Sequence, residues 1–351
     1  MSSRSHVAVR WIVAAAVAFA AWTSSAAAQD PVEQFYKGRQ ITIVIGSSPG
    51  GGYDTYGRLL GRHLGKHIPG APSVIAANMA GAGSNVAAAY IFSAAPKDGT
   101  QIGAIFAGAI VEPLLGEKAR VRHDPSRLQF VGSANTEVFV CGVRADLAVR
   151  TLEDLRRAEV VVGSSADGGP TSDFPTMLAA VLGAKLRIVR GYPGTREITL
   201  AIEKGEVQGA CGLSWATLSV QYPGIIDGRP LRIIVQEDMK GHPVLNAAGI
   251  PATGSFAKTP DDAAALDLFY AQNLFGRPYV MAPEAPPERV AAIRRAFMAA
   301  MADPDLLAEA RRLNIDIIPR AGEVVQADVA RMYATPLAIL ERVRKALGRE
   351  K

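Results

Sequence analysis

Ser48-Pro49-Gly50-Gly51-Gly52-Tyr53-Asp54 is the stretch whose residue types and spacing come nearest to a binding site. Three consecutive glycines remove the Cβ atoms from a loop, so its backbone can pack directly against a bound group. Tyr56, Leu59, Leu60, Leu64 and Ile68 follow at helical spacing, which predicts a helix leaving the loop. The first-turn N–H groups of that helix have no intrahelical partner. With the helix dipole behind them they attract a carboxylate or phosphate. Asp54 stands where a helix cap belongs, and capping is its expected role, because a bare carboxylate would repel an anion. No Gly-Lys-Ser/Thr follows the glycines, and they do not fit Gly-x-Gly-x-x-Gly with a later acid, so the loop matches neither nucleotide-binding pattern.

Other reactive side chains assemble less well. Ser164 and Ser165 lie in a second glycine-serine loop, Gly163 to Asp173, whose Gly168, Thr171 and Ser172 are further candidate contacts. Val162-Gly163-Ser164-Ser165-Ala166 lacks the last glycine of a nucleophile elbow, and no base is evident, so a serine hydrolase is the remote alternative. His63 and His67 sit four apart on the first helix without an acid between them, which reads as an ordinary helix face rather than a metal site. No metal, cofactor or catalytic set is predicted. Tyr192, Thr195, Glu197, Ser214 and Trp215 follow strand ends and could supply an aromatic wall and donors, with core packing as the equal alternative for Trp215. Arg144, Arg187, Arg190 and Arg196 could each meet a carboxylate. Cys141 and Cys211 are the two cysteines, and an even pair in an exported chain favours a disulfide.

Alternating strands and helices position these residues. Ile41 to Ile45 is a β-branched run feeding the glycine loop. Val74 to Ala77 runs into Asn78 and Gly81, and Gln101 to Phe106 ends in Ala107-Gly108-Ala109. The repeated order of strand, small-residue turn and helix predicts an α/β fold with largely parallel sheets, and ligands bind outside the carboxyl ends of such strands. Phe130 to Val143 reads as a crossing into a second lobe, and Leu231 to Val235 as the candidate return. Ile315 to Ile318 reads as a short strand, and a long closing helix is expected to kink at Pro336. The expected division is residues 29–135 and 237–351 for the first lobe and 136–236 for the second, with a ligand cleft between them.

Composition fits that reading. The 351 residues are 49% hydrophobic and 20% charged, enough for two domains. Arg4 and Arg10, an alanine-rich apolar stretch and Ala26-Ala27-Ala28 form an export leader, residues 1–28, cleaved after Ala28. Without it, 36 basic residues face 33 acidic ones, a net charge of +3 with no basic run, which gives no sign of nucleic acid.

The sequence resembles the extracytoplasmic receptors of tripartite tricarboxylate transporters, the Bug family. Phe35-Tyr36-Lys37-Gly38-Arg39-Gln40, Pro49-Gly50-Gly51-Gly52-Tyr53-Asp54, Gly81-Ala82-Gly83-Ser84, Ala95-Pro96-Lys97-Asp98-Gly99-Thr100 and Gly191-Tyr192-Pro193-Gly194 carry the resemblance, in order along nearly the whole mature chain. It implies a two-lobed, monomeric periplasmic binding protein of the Venus-flytrap type. It also implies a small organic carboxylate held by the loops at Pro49–Asp54 and Gly163–Ser172, then delivered to a permease of one large and one small membrane subunit. A sensor feeding a membrane signalling protein is the alternative role. Ser47-Ser48, Tyr53 and Gln208 depart from the usual pattern, which bears on the ligand and leaves the fold alone.

Overall fold

The structure is a computed structural model that describes residues 30–50, 52–116, 121–165 and 169–349. The expected leader, residues 1–28, and the candidate contacts Gly51 and Gly168 lie outside them. Among the described residues no helix is long and apolar enough to cross a membrane.

The first lobe opens with α1 (Pro31–Tyr36), β1 (Gln40–Ile45), α2 (Gly52–Leu64), β2 (Ser73–Asn78), α3 (Asn85–Ala89), β3 (Gln101–Ala104), α4 (Ala107–Leu115) and β4 (Gln129–Ser133). The second holds β5 (Phe139–Arg144), α5 (Leu152–Arg157), β6 (Val160–Gly163), α6 (Pro170–Leu182), β7 (Leu186–Val189), α7 (Thr195–Lys204), β8 (Gly209–Ser214), α8 (Trp215–Gln221) and β9 (Leu231–Glu237). The chain then returns through α9 (Pro243–Ala247), α10 (Pro260–Tyr270), β10 (Pro278–Met281), α11 (Pro287–Met301), α12 (Pro304–Arg312), β11 (Arg320–Ala321), α13 (Gly322–Tyr333) and α14 (Leu337–Ala346).

The sheets run β11-β4-β10-β3-β1-β2 and β7-β6-β8-β5-β9. In the first, β1 is parallel to β2 and β3, while β10 is antiparallel to β3 and β4. In the second, β6 is parallel to β7 and β8, while β5 is antiparallel to β8 and β9. The strand newly arrived from the other lobe, β10 or β5, therefore runs against its neighbours. Both faces of the central strands are covered, as parallel sheets require. Ile41, Ile43 and Ile45 pack with Leu59, Leu60 and Phe297 on one side of the first sheet, and Val44 packs with Ile91 and Ile105 on the other. The residues of α2 that recur at helical spacing are the buried ones.

The two crossings lie side by side. Ala134 N–H donates to Arg277 O (3.0 Å), Gly276 N–H to Asn135 O (3.1 Å) and Glu137 N–H to Asn273 O (2.8 Å). A Cβ on Gly276 would stand 2.6 Å from Asn135 Oδ1, so the strands of this hinge approach closely only because that residue is glycine. The C-terminal helix α14 packs against α4 of the first lobe and α6 of the second. Arg344 Nε donates to Leu114 O (2.8 Å), and Arg349 Nη2 donates to both carboxylate oxygens of Asp173 (2.7 and 2.9 Å).

Several elements differ from the sequence reading. Leu231 to Val235 is not the return to the first lobe: it belongs to β9, paired with β5, and the return is made by β10. Ile315 to Ile318 is irregular, and the strand lies just beyond it at Arg320–Ala321. Pro336 separates two helices and caps the second, where its ring fits without a lost hydrogen bond. Thr195 is the first residue of α7, and Gly194 is its cap.

Candidate functional site

A cleft of about 680 Å³ opens between the lobes. Three helices begin at it: α2 with Tyr53, α4 with Ala107 and Gly108, and α6 with its cap Gly169 and Pro170. Their dipoles place partial positive charge at the cavity. Gly212 shapes the second-lobe wall. Its φ is +66°, and a Cβ there would run into the Pro170 backbone, so β8 can lie against the start of α6 only with glycine at this point.

The glycine loop is organised by Asp54. This carboxylate is buried and accepts from Gly50 N–H (2.9 Å), Arg58 Nε (2.9 Å) and Asn78 Nδ2 (2.8 Å). Arg58 Nη2 in turn donates to Asn78 Oδ1 (2.7 Å), and Asn78 Nδ2 also reaches Ser47 O (3.0 Å). Burial alone would raise the Asp54 pKa, but the bonds from Arg58, Gly50 and Asn78 outweigh it and hold the carboxyl below the usual range. Asp54 and Asn78 thus hold the loop in shape. Asp54→Ala is expected to strand these donors and cost about 1–3 kcal/mol, read as a lower urea midpoint, whereas an unchanged midpoint would remove Asp54 from this role.

The cleft floor is Arg277, which the sequence reading missed. It leads into β10 on the returning hinge strand. Its guanidinium lies 4.4 Å from the Tyr53 ring centre and 5.1 Å from that of Tyr56, and a Cβ on Gly52 would stand 3.5 Å from its Nη2. Nη1 donates to Gly276 O (2.7 Å), while Nε is buried and meets no acceptor among the described residues. Glu137, on the outgoing hinge strand, has an oxygen 3.8 Å from Nη2. Its other oxygen accepts from Ser214 Oγ (3.1 Å). Burial raises the Glu137 pKa, and Arg277 and Ser214 offset only part of the rise. The guanidinium therefore sits between aromatic faces with a loose carboxylate partner and donors to spare.

Aromatic rings form both walls. Tyr53 and Phe106 lie 4.1 Å apart on the first lobe, and Phe139 and Phe174 lie 4.6 Å apart on the second. Neither Phe106, Phe139 nor Phe174 was singled out as a contact in the sequence.

Of the sequence candidates, Tyr53, Ala107, Gly108, Ser165 and Ser214 line the cleft. Thr171 is buried behind them, its Oγ1 accepting from Ser165 N–H (3.0 Å), and Ser172 is buried beside it. Ser48, Pro49 and Gly50 are exposed on the loop outside the lining. Gly81 stands just before the lining residues Ala82 and Gly83. Tyr192 and Trp215 pack in the second-lobe core, and Thr195 and Glu197 open α7; none of these four lines the cleft. Arg144, Arg187, Arg190 and Arg196 are also away from it. Ser164 is buried with Oγ toward Ser165 O (3.4 Å), and Ser165 Oγ bonds Thr171 Oγ1 (2.8 Å), so among the described residues neither serine meets a histidine base. His63 and His67 part company, meeting Glu309 and Asp303 of the α12 region at 2.8 Å each. Cys141 and Cys211, on the neighbouring strands β5 and β8, are joined by a disulfide.

No protein-family model matches this chain, and no curated protein does. Solved structures do match. A TctC solute binding protein from Polaromonas aligns with a TM-score of 0.68 at 18% identity, over 88% of this chain and 99% of its own. The periplasmic binding protein BugD gives 0.62 at 20% identity, over 90% and 100%. An R. palustris protein, Rpa4515, solved with adipate, gives 0.61 at 20% identity, over 88% and 97%. At such identities the likeness is one of architecture, and it is plain: this chain has the two-lobed α/β fold of the TctC and Bug solute-binding proteins.

Proposed function

We propose that the protein is a periplasmic receptor, not an enzyme, that captures a small organic carboxylate between its lobes and delivers it to a tripartite tricarboxylate-type permease. The observation that carries this reading is Arg277: a buried guanidinium with uncommitted donors at the floor of a cleft where three helix N-termini meet. Arg277 and Glu137 lie on the two hinge strands, so an anion at Arg277 binds where the lobes pivot. A ligand touching both lobes then favours closure by its differential affinity for the closed state. Adipate in one structural neighbour supports the carboxylate class, and the neighbours' description as periplasmic or solute binding proteins supports the compartment and the non-enzymatic role. The loops at Ser48–Asp54, Asn78–Gly81 and Ser164–Ser172 complete the site in this reading. The mature protein acts as a monomer.

A thermal-shift screen of residues 29–351 against mono-, di- and tricarboxylates tests the proposal. A ligand at a hundredfold its dissociation constant should add about 2.7 kcal/mol of stability, a shift of several degrees. Silence across the panel, with native mass spectrometry showing no ligand carried through purification, would overturn it.

A further inference from the structure

We infer that Glu137 is a second ligand contact and takes up a proton from solvent when an anion settles on Arg277, so that the cleft binds a carboxylate together with a proton. This rests on the receptor reading above and deepens it. The first observation is placement. Glu137 and Arg277 both line the cleft, one on each hinge strand. Their side chains are 5% and 17% exposed, and Glu137 Oε2 lies 3.8 Å from Arg277 Nη2, beyond hydrogen-bond distance. An anion accepting from this guanidinium is therefore a near neighbour of Oε2.

The second observation is what surrounds the carboxylate. Oε1 accepts from Ser214 Oγ (3.1 Å), which leaves Oε2 toward Arg277. Burial raises the Glu137 pKa, and Arg277, Ser214 and the backbone at Val138 and Ala216 offset only part of the rise. An anion on Arg277 brings a second negative charge to the same guanidinium, and lobe closure strips remaining water. Both favour the neutral acid. The proton sits on Oε2, whose new O–H donates to a ligand oxygen, while Oε1 still accepts from Ser214. A repulsion becomes a hydrogen bond. The other titratable groups near Glu137 are placed differently. Tyr53 and Tyr56 flank Arg277 as neutral phenols, their pKa values raised by burial. Glu112 and Asp173 line the same cavity, and Asp173 is paired with Arg349. Asp238 accepts from Asn273 Nδ2 (3.1 Å) behind the Glu137 backbone, and Glu237 stands opposite Phe139 on β9; neither lines the cleft.

Isothermal titration of the mature protein tests the inference. The probes are adipate and benzoate or, where neither binds, the carboxylate of the panel above with the largest thermal shift. The range is about pH 6.5 to about 8.5, where the ligand carboxylates are ionised. Heats compared in phosphate and Tris should show uptake of about half to one proton, and affinity should fall about three- to tenfold per pH unit as pH rises. Glu137→Gln keeps a donor beside Arg277 but cannot titrate. It should erase both effects and bind more tightly than wild type at the alkaline end. Buffer-independent heats with a flat affinity in wild type would overturn the inference and leave the receptor reading standing, whether or not the variant folds. Uptake that persists in Glu137→Gln would put the proton on another group and overturn the assignment. Binding of no carboxylate in the panel would remove the receptor reading, and this inference with it.

Discussion

Replacing Arg277 by alanine is expected to abolish carboxylate binding, with a loss on the order of 100-fold or more, since charge-assisted hydrogen bonds contribute about 1.5–3 kcal/mol each. The same change leaves Glu137 buried beside the space of its lost partner and should cost about 3–5 kcal/mol of stability. The two effects separate in a double variant. Arg277→Met with Glu137→Leu removes both charges, so stability should largely recover while binding stays lost. Arg277→Lys keeps the charge but loses the planar fork and its stacking on Tyr53 and Tyr56, and should fall between. Titration calorimetry and guanidinium unfolding read the two quantities. Wild-type affinity in Arg277→Ala would remove the guanidinium from the site.

Glu237 should make the protein less stable as pH rises from acid to neutral. This residue ends β9 fully buried, with one oxygen accepting from Gly212 N–H (2.5 Å) and the other meeting no donor among the described residues. Burial pushes its pKa up to about 8, and the bond from Gly212 offsets only part of that. Between the ordinary value of 4.5 and about 8 the folded chain therefore holds a proton that the unfolded chain has released. The stabilisation is complete below 4.5 and is lost as pH climbs through 8. The full swing is on the order of 5 kcal/mol, at ~1.4 kcal/mol per pKa unit. His123 and His242, whose pKa values burial lowers, tilt the curve the other way near neutrality. Comparison with Glu237→Gln cancels them. The variant should match wild type near pH 4.5 and exceed it increasingly toward pH 8.5 in urea unfolding. Parallel curves would show that Glu237 ionises as freely folded as unfolded.

Local pattern carried the first lobe. The alternation of Ile41, Ile43 and Ile45, the glycine break and the helical spacing of Tyr56, Leu59, Leu60 and Leu64 are short-range signals, and they became β1, the loop and α2. The cleft floor left no comparable trace. Pro278-Tyr279-Val280-Met281 is only four residues long, begins with proline and owes its strand character to β3 and β4, which are far away in sequence. Arg277 therefore drew no reading of its own. Gly276-Arg277-Pro278 before an apolar quartet was the available signal. Helix α4 was hidden for another reason: Gly108 near its start and Pro113 inside it are breaker residues, and packing overrides them. For Trp215 the sequence left a cleft wall and core packing as equal alternatives, because an aromatic at a strand end can turn either way; its ring packs in the lobe's own core.

The sheet orders also fix when each lobe can be finished as the chain is made. All strands of the second sheet come from one continuous stretch, β5 to β9, so that lobe has its whole framework once Glu237 has emerged. The first lobe does not. Strand β10 fills the seam between β3 and β4, and it arrives after the entire second lobe and the helices that follow it. Until Pro278 to Met281 is available, β3 and β4 face each other across a gap with unpaired edges, the kind of surface that recruits other chains. The earlier-made half of the first lobe must wait for the later half. The vulnerable interval in this protein's biosynthesis is therefore set by the position of one four-residue strand.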